Sequence, residues 1–440
     1  MNSELKKVLI ITYYWPPAGG PGVQRWLKFA KYLPEFGIQP IVYVPENPTY
    51  PIIDSQLLEE LPENTIVLKQ KIFEPYQFAA FFSGNKTKKI SSGIIPNKKK
   101  QSFIDRFLLW IRGNLFVPDA RFLWVNPSVK YLEKYIADHN IDTIITSGPP
   151  HSLHLIGLKL RNKLNLTWLA DFRDPWTTIG YHKELKLSKF AAQKHKELEL
   201  KVLNNANTII VTSPSTKIEF QQITKRPVEV ITNGFDDENT DVQTLDSRFS
   251  LAHIGSFLSE RNPLILWESL SEILNEIPDF KNYFELKLIG TISQEIFDTI
   301  DSFGLTGYVN NIGYIPHSEA IEQQKKSQIL LLIEINSENT KSIIPGKLFE
   351  YMISERPIIA IGPEGSDFAT IIKKTNTGIF VNYNQKQQLK NEIVKYYFLY
   401  LDGILKSDPV NVQDYSRKRL TEKLSKLILK RNPIMKNDSL

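Results

Sequence analysis

The distribution of apolar residues predicts two successive blocks in which short strands alternate with helices. The first block opens with the apolar run Val8–Thr12, which is followed by an amphipathic stripe from Val23 to Leu33. Its other predicted strands are Pro40–Val44, Thr143–Thr146, Trp168–Ala170 and Thr208–Thr212, and its other predicted helices lie near Leu153–Leu164 and Glu184–Leu203. Short apolar strands separated by helices are typical of a parallel sheet that is covered by helices on both faces.

The second block repeats this alternation after a polar segment at residues 232–250. Its predicted strands are Leu251–Ile254, Phe284–Ile289, Ile329–Ile333, Pro357–Ile361 and Ile379–Val381. Its predicted helices are Leu264–Leu274, Glu295–Phe303, Lys347–Ile353, Gln387–Leu405 and Tyr415–Lys430. The pattern therefore predicts an α/β protein with two doubly wound parallel-sheet domains and a cleft between them. We place the first domain at residues 1–235, the linker at 236–248 and the second domain at 249–412.

The composition limits the classes of function. Of the 440 residues, 42% are hydrophobic and 23% are charged, as in ordinary folded proteins. The chain contains no cysteine, which excludes disulfides, thiolate metal sites and a cysteine nucleophile, and which fits a reducing cytoplasm. The polar N-terminus predicts no signal peptide, and no run approaches the roughly 18 apolar residues of a membrane-spanning helix. We therefore expect a soluble or peripherally bound protein.

The net charge of +6 is unevenly distributed. Residues 1–235 carry 31 basic and 20 acidic residues, a net charge of +11, whereas the remainder carries −5. The segment 98–116 joins Lys98, Lys99 and Lys100 to apolar residues at helical spacing, which favours a helix lying on an anionic membrane surface. Base stacking by its aromatic residues on a single-stranded nucleic acid is the weaker alternative. An internal helix with solvent-facing charges fits the segment about as well as a membrane helix.

Glycines and prolines mark the first strand–helix connection, at residues 15–22. Gly19 and Gly20 would let the backbone approach a ligand, and the helix that follows would present free N–H groups to an anion. A tight turn that needs glycine only for its geometry explains the same residues equally well.

Two further strand ends of the first domain carry titratable side chains. His151 and His154 fall in the first helical turn after a strand, where they could donate hydrogen bonds to a sugar hydroxyl or a phosphate. Either histidine taken alone is more often a surface or capping residue. Asp171 and Asp174 fit acid–base chemistry, and they fit equally well an Asp–Arg network that holds the loop. No metal site is expected, because the His-x-x-His pair lacks further ligands.

The second domain contributes cations and a carboxylate. Gly255 ends a strand, and Arg261 precedes a helix, where a guanidinium could pair with a phosphate. Gly346 and Lys347 open another helix, and Glu350 lies one turn later on the same face. The helix start and Lys347 could bind a diphosphate while Glu350 accepts both hydroxyls of a ribose. An ordinary helix with a Lys–Glu pair is the alternative.

Over nearly its whole length, the chain resembles the family-4 glycosyltransferases of the GT-B fold, bacterial enzymes that use nucleotide sugars. The agreement is co-linear, which makes it more specific than any single motif. Its most specific part is the segment 345–351 followed by Arg356-Pro357-Ile358. The other matching segments are Tyr14-Trp15-Pro16-Pro17 with Gly19-Gly20, Gly148-Pro149-Pro150-His151, Asp171-Phe172-Arg173-Asp174-Pro175-Trp176, Asn233-Gly234-Phe235-Asp236 and Gly313-Tyr314-Ile315-Pro316-His317.

The resemblance implies two Rossmann-like domains, of which the first binds the acceptor and the second the donor. It implies that Glu350 binds the donor ribose, that Lys347 and Arg261 contact the diphosphate, and that Gly19 and Gly20 lie near it. The last helix, at about 413–432, would return to the first domain. The acceptor would be a glycan, a lipid-linked or a protein-linked molecule, and we expect no nucleic-acid partner.

The resemblance also implies transfer with retention at the anomeric carbon and no metal or other cofactor. Asp171, Asp174, His151 and His154 are then the candidates near the reacting sugar. Two positions differ from the common family pattern, since Ser342 stands where many relatives carry a second glutamate and Ser256 where they often carry arginine. A nucleotide-sugar epimerase of the same architecture is the alternative enzyme. We expect the protein in the cytoplasm, including the inner face of the plasma membrane.

Overall fold

The computed structural model describes residues 5–62, 65–74, 103–180, 182, 185–236 and 244–430. The chain divides into two compact units. The first unit comprises Met1–Asn233 and Arg417–Leu440, and the second comprises Gly234–Ser416. Part of the linker predicted at residues 236–248, and the lysines at 98–100, lie outside the described residues.

The first unit contains a seven-stranded sheet in which every neighbouring pair of strands is parallel. The order of the strands is β3-β2-β1-β4-β5-β6-β7. The strands are β1 (Lys6–Ile11), β2 (Ile38–Pro45), β3 (Ile66–Gln70), β4 (Thr143–Gly148), β5 (Thr167–Phe172), β6 (Thr208–Val211) and β7 (Val228–Val230). The helices of the unit are α1 (Pro21–Tyr32), α2 (Phe103–Asn114), α3 (Val125–Asp138), α4 (Ser152–Lys163), α5 (Lys189–Asn205), α6 (Pro214–Ile223) and, after the second unit, α14 (Arg417–Leu429).

Both faces of this sheet are buried under helices, as the short apolar strands predict. Along β1, Leu9 and Ile11 belong to one apolar cluster and Val8 and Ile10 to the other, because successive side chains point to opposite faces. The helix α14 completes the second of these clusters with its buried residues Leu420, Leu424 and Ile428.

The second unit contains a six-stranded parallel sheet in the order β10-β9-β8-β11-β12-β13. The strands are β8 (Phe249–Ile254), β9 (Phe284–Ile289), β10 (Val309–Gly313), β11 (Ile329–Ile333), β12 (Ile358–Gly362) and β13 (Gly378–Asn382). The helices are α7 (Leu264–Glu276), α8 (Phe280–Tyr283), α9 (Gln294–Ser302), α10 (His317–Lys326), α11 (Lys347–Met352), α12 (Asp367–Thr375) and α13 (Lys386–Leu401). Two doubly wound parallel sheets confirm the predicted fold class.

The strands that the apolar pattern does not predict lie toward the sheet edges. The side chains of β3 and β10 are exposed or half-buried and none is fully buried, so these strands lack the continuous apolar run of a central parallel strand. The strand β7 is only three residues long. The helix predicted from Glu184 begins instead at Lys189, because the Ser188 hydroxyl caps it by accepting the Ala191 amide at 3.2 Å.

Candidate active site

The glycine-rich loop of the first unit is tightly packed at Gly19 and open at Gly20. The Gly19 amide donates to the Ile52 carbonyl at 3.0 Å, and a Cβ atom on Gly19 would lie 2.8 Å from the Ile52 side chain. Gly20, which precedes α1, has φ 97°, and a Cβ atom there would meet nothing within 4 Å. Packing therefore accounts for Gly19, and the turn geometry accounts for Gly20.

Asp171 lies at the end of β5 and is fully buried, with no solvent exposure. Arg25 donates from Nη2 to one of its carboxylate oxygens at 2.8 Å and from Nε to the other at 3.3 Å. The Trp26 indole and the Ser147 hydroxyl donate to the second oxygen at 3.0 and 2.8 Å. These contacts form an Asp–Arg network, in which the partner is Arg25 and not the neighbouring Arg173.

Asp174 differs from Asp171 in both burial and partners. It is half-buried, and no hydrogen bond joins its carboxylate to another described residue. Burial raises its pKa, and the Arg173 charge opposes that rise. Asp174 is therefore the carboxylate at this strand end that remains able to bind a ligand.

Arg173 connects three loops at the same edge of the sheet. Its guanidinium donates to the Pro149 carbonyl and lies over the Tyr14 ring, 5.5 Å from the centroid. It also passes so close to Gly22 that a Cβ atom there would lie 1.9 Å from Nη1. The loops after β1, β4 and β5 are thus held together by one side chain.

Both predicted histidines are buried and uncharged at neutral pH. Burial holds the pKa of His151 well below its usual range and lowers that of His154 to about 3. The Trp168 indole donates to the Thr146 hydroxyl at 2.9 Å, and that hydroxyl contacts His154 Nδ1 at 2.8 Å. The other ring nitrogen of His154, Nε2, has no hydrogen-bond partner among the described residues.

Two further histidines, the buried His195 and the half-buried His182, join this cluster, and no sequence motif indicated them. Trp176 stacks on His151 with ring centroids 4.9 Å apart, and its indole donates to His195 Nδ1 at 3.0 Å. The His182 ring lies 4.6 Å from that of His195. Burial lowers the pKa of His182 to about 4, which keeps this ring neutral as well.

In the second unit, Lys347 lies at the carboxyl end of β8. Its ammonium group contacts the Ile254 carbonyl at 3.2 Å and His253 Nε2 at 3.4 Å. Burial, followed by the charge of Arg261, lowers the pKa of Lys347 to about 7. Gly255 has φ 113°, and a Cβ atom there would lie 3.8 Å from the Lys347 nitrogen. Gly346 immediately precedes α11.

Arg261 reaches the end of the neighbouring strand β11. Its Nη2 group pairs with the buried Glu334 carboxylate at 3.2 Å, and 27% of the arginine side chain stays exposed. The Tyr383 hydroxyl donates to the Glu334 carbonyl at 2.8 Å. Glu334 belongs to no sequence motif. Its position directly after the apolar strand Ile329–Ile333 is the one sequence feature that could have indicated a site residue there.

Glu350 is bound through both carboxylate oxygens. His317 Nε2 contacts one oxygen at 3.2 Å, and the Gln324 amide donates to the other at 3.1 Å. The side chain is 30% exposed. The Lys–Glu alternative is not what the structure shows, since Lys347 and Glu350 contact different partners.

The described residues contain neither a metal-binding cluster nor a membrane-spanning helix. Within those residues, no three His, Asp or Glu side chains are grouped so that they could hold a metal ion. No helix among them has the length and apolarity needed to cross a membrane.

Comparison with known proteins agrees with this geometry. Residues 94–239 match the family model of Glycosyltransferase Family 4. No curated protein sequence matches the chain. A glycosyltransferase from Rickettsia africae is similar in structure, with a TM-score of 0.57 and 16% identity over 98% of this chain and 100% of that one.

Two other solved structures show the same fold. Sucrose-phosphate synthase from Thermosynechococcus elongatus has a TM-score of 0.54 and 15% identity, over 97% of this chain and 95% of that one. Anabaena HepE, solved in complex with UDP and glucose, has a TM-score of 0.51 and 14% identity, over 96% of this chain and 95% of that one. The chain therefore has the fold of these GT-B proteins, and residues 94–239 of it match the Glycosyltransferase Family 4 model.

We expect Asp171→Asn to destabilise the first unit, because the substitution leaves the Arg25 charge buried without its counter-ion. Breaking such a pair costs about 3–5 kcal/mol. Asp142→Asn is the matched control, since Asp142 pairs with Lys6 at the surface, where an ion pair contributes about 0–1 kcal/mol. Thermal and urea unfolding of both variants measure the difference. Equal stability of the two variants would contradict the structural role of Asp171.

Proposed function

We propose that the enzyme transfers a sugar from a nucleoside-diphosphate sugar to a glycan, a lipid-linked or a protein-linked acceptor, with retention of anomeric configuration. The proposed setting is the biosynthesis of bacterial surface polysaccharides or glycoconjugates. The observation that carries the proposal is the grouping of Arg261, Lys347 and Glu350 at the carboxyl ends of β8 and β11. Two cations suit a diphosphate, and a half-exposed carboxylate suits the vicinal hydroxyls of a ribose.

The donor-binding residues of the second unit also supply the electrostatic part of catalysis. Negative charge grows on the diphosphate as the bond to the sugar breaks. Lys347 and Arg261 stabilise that charge in a partly dehydrated site, where a cation acts more strongly than in water. Because these side chains provide the positive charge, the proposed reaction requires no metal. An oxygen of the donor phosphate accepts the proton of the attacking hydroxyl.

The acceptor contacts the first unit. Asp174 is the proposed hydrogen-bond acceptor for its hydroxyl, because the carboxylate is half-buried and has no described partner. His151 stacks on Trp176 and His154 on Phe172, so these neutral, buried rings are proposed to form the wall of the site rather than to act as acid–base groups. Asp171 holds this wall through Arg25, and Gly20 leaves room beside the start of α1.

The first experiment identifies the donor. UDP-, GDP-, ADP- and CDP-sugars are screened for an increase in melting temperature, since a ligand bound only by the folded state stabilises it. Those that stabilise are then incubated with lipid-linked and free glycan acceptors. We expect a new glycosidic product that forms only when an acceptor is present. Conversion of the donor sugar without any acceptor would instead identify an epimerase.

We expect Glu350→Ala to weaken binding of the donor without unfolding the protein. The variant removes a charged hydrogen-bond acceptor for the ribose, which corresponds to about a tenfold to hundredfold rise in the donor KM. Glu364→Ala, at an exposed position of the same unit, is the control. An unchanged donor KM in Glu350→Ala would remove the ribose assignment.

We expect the affinity for UDP to fall as the pH rises from 7.5 to 9. Lys347, with a pKa of about 7, must take up a proton to bind a diphosphate as an ammonium ion. The fall approaches about tenfold per pH unit, and the diphosphate itself does not interfere because its last ionisation lies near pH 6. Titration calorimetry in buffers of different ionisation enthalpy measures the proton uptake directly.

Lys347→Met should bind UDP more weakly and lose this pH dependence. Lys341→Met is the matched control, because among the described residues the Lys341 side chain pairs with the exposed Glu338 alone. If Lys347→Met kept the slope of the unchanged protein, Lys347 would not be the titrating group.

We propose further that residues 98–116 bind the anionic inner face of the plasma membrane. In the described part of this segment, Trp110 is 42% and Leu115 is 62% exposed, which provides apolar contacts for an interface. Sedimentation with liposomes rich in anionic lipid should retain the protein at low salt and release it at high salt.

Replacing Lys98, Lys99 and Lys100 by alanine should release the protein from the same liposomes, at about 1 kcal/mol per lysine. The control replaces Lys194, Lys196 and Lys201, which are exposed on α5. Binding to single-stranded DNA in place of liposomes would favour the nucleic-acid alternative.

A further inference from the structure

Helix α10 presents two hydrogen-bond donors to the carboxylate of Glu350. His317 is the first residue of α10, and Gln324 follows seven positions later, so the two side chains lie two turns apart on one face. Each contacts a different oxygen, at 3.2 Å for His317 Nε2 and 3.1 Å for Gln324 Nε2. The carboxylate is therefore fixed at both oxygens by one neighbouring helix.

The burial of Gln324 is unusual for its position on the helix. Ala320 lies between the two donors on the same face and packs against the apolar cluster that contains Leu348 of α11. Gln324 is only 3% exposed, although an apolar side chain would suit such a face better. Its amide nitrogen contacts Glu350 and no other described residue. A buried amide costs free energy unless it is hydrogen-bonded. The hydrogen bond to the Glu350 carboxylate therefore accounts for the burial of Gln324.

We infer that Gln324 and His317 are positioning residues that set the orientation of Glu350 for the donor ribose and thereby determine the preference for ribose over 2′-deoxyribose. This inference rests on the proposed role of Glu350. A carboxylate held at both oxygens has lost its rotational freedom before the ligand arrives, so less entropy is lost on binding. The lone pairs that the two donors leave free then face the hydroxyls in one arrangement. Neither side chain needs to touch the ligand.

The test compares Gln324→Leu and His317→Phe with the unchanged protein. Dissociation constants are measured by calorimetry for UDP and 2′-deoxy-UDP, or for GDP or ADP and its 2′-deoxy form if the donor screen selects that base. We expect each substitution to weaken binding of the ribonucleotide about tenfold and binding of the deoxynucleotide much less. In the Glu350→Ala background, neither substitution should weaken binding further, because the group that it orients is gone.

Glu319→Gln is the control, since Glu319 is exposed on the same helix and has no hydrogen bond to a described residue. Melting temperatures establish that the variants fold. The side chain of His317 is 49% exposed, so His317→Phe carries the test if Gln324→Leu does not fold.

The outcomes distinguish a failure of the ribose assignment of Glu350 from a failure of the positioning role of Gln324 and His317. If Glu350→Ala binds ribo- and deoxynucleotide with an unchanged ratio, the ribose assignment itself fails and the inference falls with it. If Glu350→Ala changes the ratio while Gln324→Leu and His317→Phe weaken both nucleotides equally, or add to Glu350→Ala, the positioning role is overturned and the proposed function stands.

Discussion

The buried ion pair between Arg25 and Asp171 is the contact on which the first unit's site depends. Both side chains are almost inaccessible to water, and removing two charges from water costs several kcal/mol for each ion. The pair is tolerated because Ser147, Trp26 and the Thr232 carbonyl supply further hydrogen bonds. One guanidinium thereby joins α1, the end of β5 and the point where the chain leaves the first unit. The loop that carries Asp174 starts from this fixed point, so the position of that carboxylate follows from the ion pair.

The second unit holds two cations near each other, for which the proposed ligand is a diphosphate. Arg261 already has a buried counter-ion in Glu334. Lys347 has neutral partners, the Ile254 carbonyl and His253, and its lowered pKa lets it lose its charge near neutral pH. Repulsion between the two cations is therefore limited while the site is empty of phosphate. A bound diphosphate would restore the charge of Lys347, so the favourable interaction strengthens when the ligand arrives.

Much of the fold could be predicted from the sequence, because central parallel strands are continuous apolar runs. The edge strands β3 and β10 were not predicted because none of their side chains is fully buried, and β7 is too short to form a pattern. Sequence motifs could indicate site residues such as Lys347, but they could not indicate the side chains that contact those residues. Arg25 is 146 positions from Asp171, and Gln324 is 26 from Glu350. No local periodicity encodes such contacts, since they arise only when the sheet order brings distant loops together.

Of the two candidate-site carboxylates described above in each unit, one is paired with an arginine. Asp171 pairs with Arg25 and Glu334 with Arg261, and both of these carboxylates are buried. Asp174 and Glu350 remain half-buried, and no arginine among the described residues forms an ion pair with either. An arginine bonded to a buried carboxylate cannot exchange that partner cheaply, because either charge alone would be stranded away from water. The paired carboxylates thus set the shape of the loops, while the two others keep lone pairs for neutral hydroxyl groups. A site that binds sugars needs this separation, since hydroxyls compete poorly with a guanidinium for a carboxylate.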